Sequence, residues 1–173
     1  MGPPEVQSPN GVIDVLVEDE PAAVAAAKQA LAFFQGDLDA ARAECEDQRL
    51  LRHLIPENRL RAYDVRRIIT ALADTNSVLE LRRDFAPGMI TAFVRVAGRR
   101  LGLIANNPLH LAGAIDADGA DKAARFMQLC DAFDVPLLSL CDTPGIMVGP
   151  EAESRALVRH AARLFVTGAS LRI

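Results

Sequence analysis

The chain contains 173 residues, of which 50% are apolar and 24% are charged, and its formal net charge is −4. This composition is typical of one domain with a real hydrophobic core, and the acidic balance argues against a nucleic-acid-binding surface, which needs excess Lys and Arg. No apolar run reaches the roughly 18 residues of a membrane span, and the N-terminal residues do not resemble a signal peptide. Three widely spaced cysteines predict a reducing, cytoplasmic environment without a disulfide framework.

The first sixty residues predict a strand, a helix and an irregular linker. Residues 1–10 are expected to form a disordered or added end. The β-branched, partly alternating run Gly11–Val17 predicts a short strand. The alanine-rich segment that follows predicts a helix ending near Gly36. The mixed polar segment Asp37–Arg61 predicts a linker with one or two helical turns.

From Asp64 onward the sequence pattern alternates between helices and strands. Apolar residues at helical spacing, with Asp64 as a capping residue, predict a first helix. The later segments are, in order, a strand at 78–83, an antiparallel hairpin at 89–106, a loop at 108–119, a helix at 120–133, a strand at 135–141 and one long helix at 151–168 closed by Gly168. The continuous apolar run 135–141 predicts a strand buried on both faces, and its position between helices indicates a parallel crossover. The fold class is therefore α/β, and we expect an exposed sheet edge where the chain stops.

A loop rich in glycine and proline, "CDTPGIMVGPEAE" (Cys141–Glu153), follows the last strand and is the candidate site. Its D-x-x-G sequence occurs in GTP-binding proteins, but the glycine-rich phosphate loop that must precede it is absent, since no glycine here is followed by Lys. Glu151 and Glu153 open a helix whose dipole stabilises their charge, which makes them poor proton acceptors. We expect Asp142 to pin the loop through its own backbone.

The loop backbone itself could bind a ligand. Pro144 fixes one φ angle and Gly145 frees the next, so that amide N–H groups can turn toward a ligand in front of a helix N-terminus. In α/β sheets, ligands bind beyond the carboxyl ends of the strands. Asn106, at the end of the hairpin, could shape the same crevice or simply make its own turn. A tight loop without function remains the alternative.

The other chemically reactive residues are assigned structural positions. The histidines are far apart and neither H-x-x-x-H nor C-x-x-C occurs, so no metal site is predicted. Cys130 and Cys141 are expected in the core. Arg159 and His160 are expected on the polar face of their helix or over the loop, and His53 in solvent.

The second half of the chain resembles the carboxyltransferase (β) subunit of biotin-dependent acyl-CoA carboxylases, the group of propionyl-, acetyl- and methylcrotonyl-CoA carboxylases. The resemblance rests on "RAYDVRRII", "GRRLGLIANNP", "KAARFMQLCDAFDVPLLSLCDTPGIMVG" and "LVRHAARLF", which occur in the order of the family pattern. It covers Leu60–Ile173 strongly. Residues 11–61 look like the family's connector between its two domains, and residues 62–173 like the first part of its C-terminal domain.

The resemblance implies a crotonase-like fold and a reaction that moves carboxylate from N1 of biotin to the α-carbon of an acyl-CoA. Carboxybiotin would arrive on a partner carrier domain, and two backbone oxyanion holes would carry the chemistry without a metal. The implied partners are the rest of the subunit, the biotin carboxyl carrier, the biotin carboxylase subunit and further copies of the chain, with neither nucleic acid nor membrane. The biotin-side pocket would be shaped by Thr143, Pro144, Gly145, Ile146, Gly149 and Glu151, with Asn106 across the crevice.

Three departures from the family pattern limit this expectation. The thioester-binding domain is absent, the main glycine motif of the biotin side would follow Ile173, and the usual Phe after D-x-P-G is Ile146. No complete catalytic set is therefore expected, and the chain alone should be inactive. Two alternatives remain, a non-catalytic assembly module and an enoyl-CoA hydratase- or isomerase-like enzyme with Glu151 or Glu153 as base.

Overall fold

A mixed β-sheet lies at the centre of the C-terminal two thirds of the chain. The computed structural model describes residues 2–58 and 61–173. The strands are β1 (Leu79–Leu81), β2 (Met89–Val96), β3 (Arg99–Asn106) and β4 (Leu137–Leu140). The helices are α1 (Pro4–Gln7), α2 (Glu20–Phe34), α3 (Leu51–Leu54), α4 (Val65–Leu72), α5 (Ala117–Ala132), α6 (Pro150–Ser154) and α7 (Leu157–Ser170).

The sheet has the strand order β1-β2-β3-β4. The pairs β1–β2 and β2–β3 are antiparallel, and β3 pairs with β4 in parallel through the crossover helix α5. The predicted hairpin and parallel crossover are thus confirmed. Ala97 and Gly98 turn the hairpin with positive φ angles of 51° and 78°, and the Asp74 carboxylate accepts hydrogen bonds from both of their amides. This pattern suits a two-residue turn that follows the twist of the strands.

Two hydrophobic clusters cover the two faces of the sheet. Because side chains alternate along a strand, Ile90, Ala92 and Val94 of β2 pack with α4, while Phe93 points to the opposite face. That second cluster joins the end of α2 to α5 through Phe33, Leu79, Leu81, Phe93, Phe126, Cys130 and Val135. Cys130 is buried as predicted.

The N-terminal segment makes ordered contacts. Residues 1–10, expected to be a disordered or added end, include α1, and the Ser8 hydroxyl donates to the Asp84 carboxylate at 2.6 Å. The run Gly11–Val17 was expected to be a strand and is irregular. It lies along the end of β1, where the Arg82 amide donates to the Asp14 carbonyl and the Arg82 guanidinium bonds the Asp14 carboxylate. These contacts involve one residue of the run, so no ladder forms despite its β-branched composition.

The segment Asp37–Arg61 was predicted to be a linker with one or two helical turns, and its described residues contain three short ones. It contains α3 and two short 3-10 turns, Ala40–Arg42 and Gln48–Leu50, which are capped by the carboxylates of Asp39 and Asp47. His53 is exposed. In the described ranges, no helix combines the length and apolar character needed to cross a membrane.

Two predictions at the C-terminal side of the sheet are wrong. The strand predicted to be buried on both faces is β4, which lies at the sheet edge and is only partly covered. Cys141, which follows it, is exposed instead of lying in the core. An apolar run therefore identified the strand correctly but could not reveal how many neighbours it has.

The predicted long helix at 151–168 is broken into α6 and α7. Ala156 separates them with a left-handed backbone, φ 57° and ψ 37°, and Gly168 lies inside α7 instead of ending it. Leu157 and Ala161 of α7 are buried, and α7 packs along α5. Burying this apolar face outweighs the local preference of alanine for a right-handed helix.

Candidate functional site

The candidate site lies where β3 and β4 end. Because the two strands are parallel, Asn106 at the end of β3 meets the loop Asp142–Gly149 that follows β4. The Asn106 amide oxygen accepts a hydrogen bond from the Asp142 backbone N–H at 3.3 Å, and its side-chain nitrogen donates to the Gly113 carbonyl at 3.2 Å. Asn106 is buried. It joins the ends of both strands to the segment before α5 and so fixes the shape of the crevice.

The segment before α5 contains a turn that the sequence did not predict. Leu111, Ala112 and Gly113 have positive φ angles of 47°, 52° and 82°. Gly113 lies against the carbonyl oxygen of Asp142, where a Cβ atom would overlap it. Backbone strain of this kind in non-glycine residues clusters at functional sites. Gly113 is the only sequence signal for this turn, since leucine and alanine give no hint of left-handed backbone.

The first half of the loop is held by the Thr143 side chain and by the segment before α5. The Thr143 hydroxyl accepts from the Gly145 amide at 3.0 Å and donates to the Gly145 carbonyl at 3.1 Å. The same carbonyl accepts from the Ile115 amide, and the Met147 amide donates to the Ile115 carbonyl. The Gly145 N–H, which the sequence suggested for ligand binding, is thus already occupied.

The second half of the loop leaves backbone donors free. The amides of Ile146, Val148 and Gly149 have no hydrogen-bond partner within residues 2–58 and 61–173. Ile146 forms an isolated parallel bridge with Ile115, so its own N–H points away from that neighbour. Gly149 has a φ of 115° and precedes α6. The amides without a partner in the described residues therefore lie later in the loop than Gly145, the position that the sequence suggested.

The start of the loop is pinned from a distant part of the chain. The Tyr63 hydroxyl donates to the Asp142 carboxylate at 2.6 Å across 79 residues of sequence. Burial of the phenol, together with the hydrogen bond and charge of Asp142, raises the pKa of Tyr63 to about 12. The hydroxyl therefore stays protonated and able to donate. Asp142 does pin the loop, but its carboxylate bonds the Tyr63 hydroxyl instead of the loop backbone.

An open apolar pocket of about 370 Å³ adjoins the second half of the loop. Its lining residues are Ile146, Met147, Val148, Glu153, Leu157, Val158, Ala161, Ala162 and Phe165. Glu153 is the one charged residue of this lining, whereas Glu151 and Pro144 are exposed and do not contribute to it. The pocket and the free amides together suit a ligand with an apolar ring and a polar acceptor atom.

A polar contact fixes α7, which forms one wall of the pocket. His160 Nδ1 lies 2.7 Å from the Asp121 carboxylate on α5, and Arg163 approaches the other Asp121 oxygen at 3.7 Å. His160 therefore faces α5 and not the pocket, while Arg159 is exposed. The sequence predicted His160 either on the polar face of its helix or over the loop. It lies instead at the contact between α7 and α5.

A second groove, of about 1100 Å³, lies between the N-terminal segment and the sheet. Its charged lining is acidic overall, and its most buried cation, Arg66, is held by Glu80 through a bidentate contact of 2.6–3.2 Å. Such a surface does not suit an anionic ligand. In the described parts of the chain, no group of three or more His, Cys, Asp or Glu is placed to hold a metal ion.

The sheet, the crossover helix and the crevice at the strand ends define an α/β domain of the crotonase-like class. The chain belongs to the carboxyl transferase domain family, which matches residues 1–170. The family resemblance inferred from the sequence motifs is thus confirmed.

Relatives with known names agree with this assignment. The beta6 subunit of a biotin-dependent acetyl-/propionyl-coenzyme A carboxylase from Mycobacterium tuberculosis is 39% identical over 166 residues, which cover 94% of this chain and 35% of that protein. A single-chain, multi-domain long-chain acyl-CoA carboxylase is 55% identical with a TM-score of 0.97, over 100% of this chain and 18% of that one. A hexameric transcarboxylase 12S with hydrolysed methylmalonyl-coenzyme A bound is 31% identical with a TM-score of 0.89, over 99% and 35%. The chain therefore spans about a third or less of the length of these relatives.

Proposed function

We propose that this chain is part of a carboxyltransferase that moves a carboxyl group from carboxybiotin to the α-carbon of an acyl-CoA. The observation that carries the proposal is the family match over residues 1–170, together with the names of the relatives. The site geometry is compatible with this proposal, because the free donors are backbone amides. Such donors can polarise a carbonyl, and the reaction requires this polarisation and no acidic side chain.

The residues present fit the biotin group. The ureido oxygen of biotin is a hydrogen-bond acceptor, and the amides of Ile146, Val148 and Gly149 are donors without a partner in the described chain. The apolar face of the biotin ring requires an apolar wall, and the pocket beside the loop supplies one. When bound, carboxybiotin supplies the activated carboxyl group. The role of Thr143, Pro144 and Gly145 is to hold the loop backbone in shape, and that of Asn106 is to fix it to β3.

The proposed partners follow from the same reasoning. The remaining part of the carboxyltransferase would bind the acyl-CoA, and a biotin carrier and a biotin carboxylase would deliver the carboxyl group. Further copies of the chain would complete the assembly, as in the transcarboxylase 12S hexamer. Without the rest of the site, the isolated chain is expected to be inactive.

A binding experiment tests the biotin side directly. In a 15N-labelled chain, biotin methyl ester is expected to shift the amide signals of Ile146, Val148 and Gly149 more than those of the sheet. Methyl pentanoate, which lacks the ureido group, is the matched control and should leave these three signals in place. Shifts confined to other surfaces would contradict the proposal.

An activity experiment tests the whole function. The matching segment of the Mycobacterium tuberculosis beta6 subunit can be replaced by this chain, and carboxylation of acetyl- and propionyl-CoA measured with the partner subunits present. We expect activity in the hybrid and none from the isolated chain. Clear carboxybiotin-dependent turnover by the isolated chain would show that the loop does not depend on the missing groups.

A non-catalytic assembly module is the second candidate. The observation that favours it is the apolar face of α7, where Val158 is 77% and Phe165 62% exposed. Full activity of the hybrid enzyme would count against it. Loss of activity in the hybrid with an intact oligomer would favour it.

A further inference from the structure

Tyr63 connects the hydrophobic core to the start of the candidate loop. Its ring packs against the cluster formed by α4, β2 and β3, and its hydroxyl reaches the Asp142 carboxylate at 2.6 Å. It is the only tyrosine of the chain, which contains no tryptophan. The contact therefore joins a fixed point in the core to an exposed residue of the loop.

Asp142 is attached at three points, and each attachment comes from a different part of the chain. Its backbone N–H donates to the Asn106 side chain, and its carbonyl oxygen lies against Gly113. The hydrogen bond ties the backbone of Asp142 to the end of β3, and the second contact is a close steric approach to the segment before α5. The Tyr63 hydroxyl holds the Asp142 side chain and thereby restricts its rotation at the point where the loop leaves β4.

We propose that Tyr63 is a positioning residue of the pocket loop, whose hydroxyl fixes Asp142 and thereby the direction of the free amides at Ile146, Val148 and Gly149. The proposal rests on the proposed function for the meaning of those amides, but the positioning itself can be measured without any ligand. It assigns a role to a residue for which the sequence analysis gave none.

The chemistry of the contact makes it a steady constraint. A phenol that donates to a carboxylate forms a charge-assisted hydrogen bond, which is shorter and stronger than a neutral one. Because the pKa of Tyr63 is raised to about 12, the phenol remains a donor across the physiological pH range. The ring contributes separately through packing, which a phenylalanine retains.

Amide hydrogen exchange of the full chain tests the proposal. Tyr63→Phe keeps the ring in the core and removes only the hydroxyl. We expect exchange of the hydrogen-bonded loop amides, those of Asp142, Gly145 and Met147, to rise about tenfold, as for the loss of a hydrogen bond to a charged group, while exchange in β2 and α5 stays the same. Ser170→Ala, which removes a hydroxyl that donates to the Thr167 carbonyl at the end of α7, is the matched control and should change neither region.

The pair Tyr63–Asp142 can be isolated with a second set of variants. Asp142→Ala is expected to raise loop exchange as much as Tyr63→Phe, and the double variant no further, because both remove one contact. Asp142→Asn, which retains an acceptor oxygen, should restore part of the protection. Unchanged loop exchange in Tyr63→Phe, or additive effects in the double variant, would overturn the proposal.

Ligand binding separates this proposal from the proposed function. If biotin methyl ester binds the wild-type chain, Tyr63→Phe should weaken that binding about tenfold without loss of fold. Equal binding by both chains would overturn the positioning role. If the wild-type chain binds no biotin ester, the proposed function fails, and the exchange comparison alone then decides the role of Tyr63.

Discussion

Gly113 lies where the segment before α5 meets the loop after β4. Its φ of 82° is strained for any other residue, and a Cβ atom would overlap the carbonyl oxygen of Asp142. We expect Gly113→Ala to lower the free energy of unfolding by about 3 kcal/mol, the sum of left-handed backbone strain and overpacking against a rigid backbone. Urea denaturation at equilibrium measures this loss.

Gly36→Ala is the matched control for this prediction. Gly36 also has a positive φ, 100°, but nothing lies within 4 Å of the position of its Cβ atom. Only the backbone strain applies there, and we expect a loss of about 1–2 kcal/mol. Equal losses in the two variants would mean that the loop moves away from Gly113 without cost, and that the contact with Asp142 does not shape the crevice.

Lys122 is a buried cation that forms no ion pair with a carboxylate among the residues that the structure describes. Its side chain is 1% exposed, and its ammonium donates to the carbonyls of Arg82 and Phe85 at 2.8 and 2.7 Å. Burial lowers the pKa of Lys122 from 10.5 to about 8. The ammonium thus closes the turn after β1. Relative to the unfolded chain, however, folding makes the loss of its proton easier.

The shifted pKa of Lys122 predicts a rise of stability with pH. Between the folded pKa and the unfolded pKa, the unfolded chain binds more protons than the folded chain, so the free energy of unfolding increases as pH rises. We expect the free energy of unfolding of the wild type to rise by about 2 kcal/mol relative to that of Lys122→Met from about pH 7 to about pH 9.5. Tyr63 and Cys130, whose pKa values are raised to about 12, act in the opposite direction in both proteins and cancel in this comparison.

A difference in free energy of unfolding that stays constant over this pH range would contradict the lowered pKa of Lys122. The measurement is urea denaturation at several pH values, with the fold checked by circular dichroism at each one. The comparison of two proteins at the same pH is needed because many other groups ionise in alkaline solution.

The elements α5 and α7 are joined by polar contacts of different quality. The His160–Asp121 contact is half-buried, and the second Asp121 oxygen is buried without a hydrogen-bond partner in the part of the chain that the structure describes. Loss of the imidazole would leave the carboxylate unsatisfied. We expect His160→Ala to lower the free energy of unfolding by about 2 kcal/mol.

Arg155→Ala, at a residue between α6 and α7 that contacts α5, is the control for an exposed ion pair. Arg155 contacts Asp118 at 2.7 Å, but both side chains are largely exposed, so the loss should stay within about 0.5 kcal/mol. Thermal and urea denaturation of both variants measure the two losses. Similar losses would show that α7 is held on α5 by apolar packing alone.

The sequence predicted elements whose signal is local and periodic. The hairpin was predictable because apolar alternation fixes both strands and Ala97–Gly98 suits the turn. The break at Ala156 was not, because the packing of α7 on α5 overrides a continuous helical pattern. The irregular course of Gly11–Val17 was also missed, since a β-branched composition does not reveal whether a strand finds a partner.

The candidate site was predictable as a place but not as a set of contacts. The loop after β4 was identified from its glycine and proline residues, which specify backbone shape locally. Because the Gly145 amide donates to the Thr143 hydroxyl, the amides without a partner lie later in the loop than the sequence suggested. The bond from Tyr63 to Asp142 spans 79 residues, and no local pattern reports a contact across that separation.

At the scale of the whole molecule, the described chain leaves two surfaces uncovered. Strand β4 lies at the sheet edge, and the residues described include no strand that pairs with its outer side. Beside the loop, Val148 is 83% exposed, and Val158 and Phe165 extend the apolar surface along α7. Open strand edges and contiguous apolar patches both promote association between chains.

We therefore expect the 173-residue chain to self-associate with rising concentration, and multi-angle light scattering after size exclusion measures it. Replacing Val158 and Phe165 together by Asp should weaken association at least about tenfold, because charges placed in an apolar contact must be desolvated. Leu31→Asp, at a position on α2 that is 60% exposed, is the control for added charge outside the patch. A chain that remains monomeric at every concentration, or an equal effect of Leu31→Asp, would show that α7 and β4 do not act as an assembly surface. Association that persists in the double variant would instead locate the contact at β4, whose backbone donors and acceptors the substitutions leave intact.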